Sequence, residues 1–294
     1  MTLNPLMSQI IQIALQEDLG QGDLTTNLVV PHNLTARAKV LARKPLVLSG
    51  TLVFETVMRQ VDPQIECRIL FPDGSKLARG DMAIILEGPA RSILAGERVA
   101  LNFLMCLSGV ATLTSAYVEA IGPDGPQLLD TRKTSPGLRG LVKTAVRHGG
   151  GKNHRSGLFD GILIKDNHVL AAGGVAQALA LAKAKAPVGQ KIEIEVETLA
   201  ETLEALRGGA DIILLDNMSP TELKKAVALA EEFFAPNPRA VILEASGGID
   251  FESLSTYRDT GVDYISLGAI THSAPAADLA LDFEPNAFGT DRSR

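Results

Sequence analysis

Cysteine and positive charge are both scarce in this sequence, and each scarcity excludes a class of protein. The only two cysteines among 294 residues, Cys67 and Cys106, lie far apart, each inside an apolar stretch. This pair predicts reduced thiols in a core and excludes a disulfide framework or a zinc knuckle. Lysine and arginine number 28 against 34 acidic residues, so the net charge is -6. An acidic chain of this kind is not expected to bind nucleic acid through its overall field.

Targeting signals are also lacking, and membrane character is confined to one segment. No basic region precedes an apolar run near the N-terminus, which predicts a cytoplasmic protein without a secretory signal. Residues 99–118 carry no charge and are long enough to cross a bilayer. Six of these residues are polar: Asn102, Ser108, Thr112, Thr114, Ser115 and Tyr117. We therefore expect a long buried helix and no membrane partner.

The first third of the chain predicts an α+β domain, residues 1–108. Strand-like alternation occurs at 36–42, 65–71 and 83–87, and helical spacing occurs at 10–17, at 51–61 and from 91 onward. The C-terminal tail, residues 274–294, is a candidate to pack back on this domain. With 46% hydrophobic residues the chain is globular, and its length accommodates a second domain.

Residues 109–273 predict that second domain through a regular rhythm. Short apolar runs occur at 127–129, 161–164, 191–196, 211–215, 240–243 and 262–267, with helical segments between most of them. Alternating strands and helices favour a parallel sheet that is covered by helices on both faces. Polar residues or glycines follow each apolar run. We predict an α/β fold, a partial or irregular (β/α) barrel of about six to seven strands. An open doubly wound sheet is the alternative.

Basic residues are concentrated between Thr131 and His168, where eight lysines and arginines face two aspartates. Arg132, Lys133 and Lys165 follow apolar strands at the end where barrels hold their active sites, which indicates a polyanionic substrate. Arg139, Lys143 and Arg147, spaced four apart on a predicted helix, are equally consistent with a solvated face.

Carboxylates follow the next strands. Glu195, Asp216 and Glu244 end consecutive strands beside the basic segment, which suits Mg²⁺ held together with the phosphates of a substrate. Salt bridges to the basic segment are the alternative. Glu193 and Glu197 share the face of Glu195, so the choice among these three glutamates is open.

Glycines follow the last two strands. Ser246-Gly247-Gly248 and Gly268-Ala269 allow backbone amides to approach a phosphate, as in the phosphate sites of many barrels. The residues alone thus predict an enzyme that binds a phosphorylated, multiply anionic substrate with Mg²⁺.

Eight spaced motifs resemble the quinolinate phosphoribosyltransferase family. The motifs are EDLGQGD from Glu17, DTRKT from Asp130, GKNHR from Gly151, LIKDNH from Leu163, EIEVET from Glu193, LLDNM from Leu214, EASGG from Glu244 and GVDYISLGAITHS from Gly261. The resemblance runs from about residue 5 to about residue 283. It implies the joining of quinolinate to phosphoribosyl pyrophosphate, giving nicotinate mononucleotide, pyrophosphate and CO₂ during NAD biosynthesis.

The resemblance also implies roles for individual residues. Those that would hold the quinolinate carboxylates are Arg132, His154, Arg155 and Lys165, with Lys133 shared between the two substrates and Thr131 beside them. Glu195 and Asp216 would handle Mg²⁺ and the ribose hydroxyls, and would act in catalysis with Lys133 and Lys165. The 5'-phosphate would lie on Ser246, Gly247, Gly248, Gly268 and Ala269. Arg98 would reach the site from the partner subunit of a homodimer with shared active sites.

Two other functions remain open on the sequence. A lysine at a strand end, Lys165, could form a Schiff base in an aldolase-type lyase. The chain could also be a differently specific relative, such as the molybdenum-transport homologue of the family or an anion-binding protein.

Overall fold

The computed structural model describes residues 5–284 and 289–290, which form two compact units. The first contains residues 5–115 and 135–150 together with the C-terminal segment from 274, and the second contains 116–134 and 151–273. The division differs from the expected one at residue 108 because one helix runs through that point and because 135–150 group with the first unit. In that unit His148 Nδ1 lies 2.9 Å from Ser49 Oγ.

The elements are numbered along the chain. The helices are α1 (Pro5–Leu19), α2 (Leu24–Val29), α3 (Thr51–Val61), α4 (Ala90–Ile121), α5 (Arg139–His148), α6 (Asp166–Ala172), α7 (Val175–Lys185), α8 (Leu199–Gly208), α9 (Pro220–Phe234) and α10 (Ala269–His272), with a 3₁₀ helix at Leu254–Tyr257. The strands are β1 (Leu34–Ala42), β2 (Leu46–Val47), β3 (Glu66–Ile69), β4 (Lys76–Leu77), β5 (Met82–Pro89), β6 (Gln127–Leu129), β7 (Ile162–Ile164), β8 (Ile192–Val196), β9 (Ile212–Asp216), β10 (Ile242–Ser246), β11 (Tyr264–Ser266), β12 (Leu279–Phe283) and β13 (Gly289–Thr290).

The first unit is built on an antiparallel sheet in the order β12-β1-β5-β3, with β13 also paired to β1. Val40 of β1 pairs with Leu281 on one side and Ile84 on the other. Alternate residues of β1 are buried, as expected for a strand with one face toward a core. The pairing of β12 with β1 places the C-terminal segment in this unit.

Helix α4 is the one described helix that is long and apolar enough to cross a membrane. Its most apolar 18-residue stretch is 61% buried inside the protein, and Leu101, Leu104 and Leu107 are almost fully enclosed. The prediction of a long buried helix for this segment is therefore confirmed.

Helix α5 carries the basic residues spaced four apart, and it belongs to the first unit. Lys143 is only 3% exposed, so the interpretation of a solvated basic face is wrong for this residue. Helical spacing identifies residues on one face, but it does not tell which face is covered.

The second unit is built on a six-stranded parallel sheet in the order β6-β11-β10-β9-β8-β7. From β7 to β11 each strand lies beside the next in the chain, and the first strand, β6, lies beside the last. A doubly wound sheet would instead reverse its order partway across. This barrel-like winding confirms the predicted fold class, and a parallel bridge between Leu129 and Lys152 extends the pairing beyond β6.

Strand pleating separates apolar from polar side chains in this sheet. Ile194, Ile213 and Leu215 are buried, and helices α7 and α8 contact the strands that carry them. On the other face of the strands lie polar side chains such as Glu195 and Asp216. Capping boxes at Thr198–Glu201 and Ser219–Glu222 begin helices α8 and α9 soon after the strands end.

Gly109 on α4 provides a test of the packing in the first unit. A Cβ atom at this position would overlap the carbonyl oxygen of Pro275, a backbone atom. We expect Gly109→Ala to lower the free energy of unfolding by about 1–3 kcal/mol, the usual cost of overpacking. Gly140→Ala on helix α5 is the control, because its Cβ would approach only Met7, at 4.0 Å. Urea unfolding measures both variants, and equal stability of the two would contradict this packing.

Candidate active site

A cavity of about 710 Å³ opens at the carboxyl ends of the parallel strands of the second unit. Thirteen of the fourteen residues predicted to bind substrate line it: Thr131, Arg132, Lys133, His154, Arg155, Lys165, Glu195, Asp216, Ser246, Gly247, Gly248, Gly268 and Ala269. The fourteenth, Arg98, lies on helix α4 in the first unit. Parallel strands bring these residues together because their carboxyl ends meet at one edge.

Two guanidinium groups form the basic side of the cavity. Burial and the neighbouring charge of Arg132 lower the pKa of Arg155, although Glu193 and Asp160 act in the opposite direction. Arg155 Nη1 also donates to the carbonyl oxygen of Gly161 at 3.0 Å. Two like charges held this close, one of them partly desolvated, favour an anion between or beside them.

Asp130 fixes the segment that carries His154 and Arg155. This aspartate is fully buried, and its Oδ1 accepts the backbone N–H of His154 at 2.9 Å. Its Oδ2 accepts a hydrogen bond from the side chain of Asn153. In the sequence Asp130 follows the first apolar run of the second predicted domain and begins the DTRKT motif, but it is not among the predicted site residues. Its position directly after an apolar run was the signal that could have identified it as a positioning residue.

The acidic side of the cavity is built on β8 and β9. Glu195, which is 8% exposed, accepts a hydrogen bond from Lys165 Nζ at 2.6 Å. Burial and the charge of Glu195 raise the pKa of Asp216, while Lys165 and Lys133 lower it. Of the three glutamates on this face, Glu195 lines the cavity, Glu193 lies deeper and Glu197 is exposed beyond the strand.

This carboxylate pair could hold a divalent cation. Asp216 and Glu195 repel each other, which a cation between them would relieve, and both offer the hard oxygen ligands that Mg²⁺ prefers. Asn217 Nδ2 orients Asp216 by donating to its Oδ2 at 2.7 Å. The donor set fits Mg²⁺ through its chemistry.

The glycine loops hold their backbones open to the cavity. Gly247 and Gly248 have φ angles of 93° and 60°, a region that side chains with a Cβ rarely adopt. A Cβ at Gly247 would overlap Asn217, and one at Gly268 would lie 3.0 Å from Lys133 Cδ. In both loops the absence of a side chain therefore leaves the backbone accessible from the cavity.

A deeper layer contains three titratable groups that approach one another closely. His154 Nε2 lies 3.1 Å from Glu193 Oε2 and 3.8 Å from Glu244 Oε1. Both carboxyl groups are almost completely buried. Glu244 is one of the predicted strand-ending carboxylates, but the position of His154 beside Glu193 and Glu244 cannot be predicted from the spacing of these residues in the chain. The cavity is also lined by residues outside the predicted set: Leu163, Leu214, Asn217, Ile249, Ser266, Leu267 and His272.

Comparison with known proteins agrees with this geometry. The family described as quinolinate phosphoribosyl transferase matches with its N-terminal domain at residues 23–108 and with its C-terminal domain at residues 110–282. The probable nicotinate-nucleotide pyrophosphorylase (carboxylating) of Bacillus subtilis is 40% identical over 266 residues, covering 90% of this chain and 89% of the relative. The corresponding enzyme of Mycobacterium leprae is 41% identical over 275 residues, covering 92% and 95%.

Solved structures give the same result. The nicotinate-nucleotide pyrophosphorylase from Francisella tularensis superimposes with a TM-score of 0.90 at 39% identity, covering 97% of this chain and 98% of that one. Both domains of the family and nearly the full length of its relatives are thus represented. The chain belongs to the quinolinate phosphoribosyltransferase family.

Proposed function

We propose that the 710 Å³ cavity is where this chain transfers the phosphoribosyl group of phosphoribosyl pyrophosphate to quinolinate. The products are nicotinate mononucleotide, pyrophosphate and CO₂. The activity follows from the family and from relatives named as carboxylating nicotinate-nucleotide pyrophosphorylases at about 40% identity. The observation that carries the placement is the convergence of thirteen expected substrate-binding residues on one cavity with a basic and an acidic side.

Quinolinate, a dicarboxylate, belongs on the basic side. Arg132 and Arg155 supply planar guanidinium groups for bidentate binding of a carboxylate, and Lys165 supplies a compact ammonium group. His154 lies at the same end, fixed through its backbone N–H by Asp130. Two anionic groups on the substrate match the crowding of cations described above.

Phosphoribosyl pyrophosphate belongs on the acidic and glycine-lined side. Glu195 and Asp216 would hold Mg²⁺ and the ribose hydroxyls, and Lys133 would contact both substrates. Bound there, Mg²⁺ would neutralise charge on the pyrophosphate. The 5'-phosphate would lie on Ser246, Gly247, Gly248, Gly268 and Ala269, where bare backbone permits close approach.

The chain's own residues orient the substrates and neutralise charge in this reaction. Departure of pyrophosphate leaves positive charge on the ribose, so the ring nitrogen of quinolinate has to be held in line to attack it. Cationic side chains stabilise the charge on the leaving group. Once the nitrogen is ribosylated its positive charge stabilises the carbanion formed at C2 when CO₂ leaves. No covalent enzyme intermediate is required.

The two alternative functions are less well supported. Lys165 is paired with Glu195 at 2.6 Å, whereas a Schiff-base lysine is typically activated by an apolar pocket or another cation. The relatives quoted above are named as carboxylating nicotinate-nucleotide pyrophosphorylases and not as transport proteins.

We also propose a cytoplasmic homodimer in which Arg98 enters the partner's cavity. The Arg98 side chain is 59% exposed, and its Nη2 lies 4.0 Å from Oε1 of adjacent Glu97, which is a long ion pair. An exposed arginine without a tight local pair is available to a carboxylate of a substrate held by another subunit.

Lys165 tests the quinolinate side. Lys165→Ala removes the partner of a desolvated carboxylate, so kcat/KM should fall by roughly 100-fold, equivalent to about 3 kcal/mol. The control is Lys185→Ala, which removes an exposed lysine at the end of helix α7. Steady-state formation of nicotinate mononucleotide measures the effect, and a wild-type value for Lys165→Ala would contradict the assignment.

Asp216 tests the metal side. Asp216→Asn removes one anionic oxygen ligand, so it should weaken phosphoribosyl pyrophosphate binding and the response to Mg²⁺ together. Calorimetric binding of quinolinate alone should change by less than about threefold, within roughly 0.7 kcal/mol. Asp259→Asn, at an exposed position, is the control. Equal loss of quinolinate binding would instead indicate a structural role for Asp216.

Arg98 tests the shared site. Arg98→Ala should be nearly inactive yet folded and dimeric, because an exposed arginine contributes little to stability. Mixing it with Lys165→Ala should restore activity, since each heterodimer would contain one site with both defects and one with neither. Arg59→Ala, an exposed arginine on helix α3, should behave as wild type. Subunit exchange verified by mass spectrometry without recovered activity would exclude the shared site.

A further inference from the structure

The buried layer below the cavity has chemistry that substrate binding does not use. His154, Glu193 and Glu244 each bring one polar atom within 4.8 Å of the others. Glu193 and Glu244 are only 5% and 2% exposed. The substrate-binding scheme above uses His154 alone, and two buried carboxyl groups side by side are costly unless a proton or a cation compensates them.

Hydrogen bonds locate the proton on the imidazole. His154 Nδ1 accepts the backbone N–H of Arg155 at 2.7 Å, so Nδ1 carries no proton and Nε2 does. This Nε2–H points toward Glu193, whose Oε2 is 3.1 Å away. The nitrogen that faces both carboxyl groups is therefore a donor without a lone pair for a metal ion. The arrangement of these three groups therefore suits the binding of a proton and does not suit a divalent cation.

Within the described part of the chain, Glu244 has one carboxyl oxygen without a hydrogen-bond partner, although its side chain also bonds to Ser266. Its Oε1 is buried and has no hydrogen-bond partner among residues 5–284, and Nε2 of His154 is 3.8 Å from it. An unpaired anionic oxygen at this depth is unfavourable, and a proton on the carboxyl group removes the charge.

The groups around Glu244 agree with a stored proton. Glu193 faces it from β8, Ser266 from β11, Lys165 from the end of β7 and His154 from the segment after β6. Burial and the charge of Glu193 raise the pKa of Glu244 to about 7, and the other three groups limit the rise. A carboxyl group of this kind holds its proton at a pH where ordinary glutamates have lost theirs.

Glu244 also lies between two cavities of the second unit. It lines the substrate cavity, and it lines a second cavity of about 330 Å³ that Glu193, Lys191 and Tyr264 border as well. His154 lines both cavities too. A proton lost from Glu244 into the first cavity can thus be replaced from the second, by a route that does not pass the substrates.

We propose that Glu244 is the general acid that protonates C2 of the pyridine ring after decarboxylation. The proposal rests on the proposed placement of the reaction in this cavity. When the bond between C2 and its carboxylate breaks, the electron pair stays on C2 and CO₂ departs. The O–H bond of Glu244 then breaks and a C2–H bond forms, which leaves nicotinate mononucleotide and the Glu244 carboxylate. The carboxylate can accept the Nε2–H of His154 until a solvent proton arrives through the second cavity.

A single-turnover experiment with Glu244→Gln separates this step from ribosyl transfer. Enzyme in excess over quinolinate and Mg²⁺-phosphoribosyl pyrophosphate is quenched over time, and pyrophosphate, the ribosylated but still carboxylated nucleotide and nicotinate mononucleotide are measured. Without the acid, CO₂ recombines with the carbanion. Pyrophosphate release should therefore stay within about threefold of wild type, while conversion of the carboxylated nucleotide slows by about 100-fold or more, the lower range for a general acid. Glu197→Gln, at an exposed position just beyond the end of β8, is the control.

The pH dependence of the wild-type enzyme supplies a second measurement that needs no variant. Because the acid acts only when protonated, conversion of the carboxylated nucleotide should fall tenfold per pH unit above the pKa of Glu244 in the complex. A rate independent of pH between 6 and 9 would overturn the proposal. So would wild-type conversion in Glu244→Gln, or an equal loss of both steps in a folded Glu244→Gln enzyme, which would assign Glu244 to substrate binding. Absence of pyrophosphate release from the wild type would contradict the proposed reaction itself.

Discussion

The site depends on one constraint, the division of the parallel strands into an apolar face and a polar face. Ile194 lies on one face of β8, while Glu193 and Glu195 of the same strand lie on the other. Each strand is held by hydrogen bonds to its neighbours, so the height of each polar group is fixed by register rather than by side-chain contacts alone. Ser246 pairs with Asp216, and Glu244 and Glu195 both pair with Leu214.

Register also explains why charges of opposite sign can share this space. The cations follow β6 and β7 or lie in the segment between them, whereas the carboxylates come from β8, β9 and β10. The two signs meet in contacts such as Lys165 with Glu195 at 2.6 Å and His154 with Glu193 at 3.1 Å. These pairs offset part of the cost of removing the charged side chains from water. The charges that are not paired within the protein face substrates that carry both carboxylates and phosphates.

Much of this arrangement can be read from the sequence. Strands covered on both faces appear as short apolar runs, so all six strands of the second unit were predicted within a few residues, and the residues after them converge as expected. The depth at which a side chain is buried and the residue that it contacts are harder to predict from the sequence. A period of two places Glu193, Glu195 and Glu197 on one face, but it cannot tell that only the first reaches His154. The burial of Lys143 and the role of Asp130 likewise depend on segments far away in the chain.

The pairing of β12 with β1 has a consequence for the order in which the protein is made. Ala38 pairs with Phe283, so the sheet that contains β1 needs a strand that is synthesised after β11. The strands β6 to β11 of the second unit follow one another along the chain, so their sheet does not depend on a strand from a later segment. On the ribosome, the unit that is begun first is therefore completed last, and until then β1 presents an open edge that a chaperone or another nascent chain can occupy.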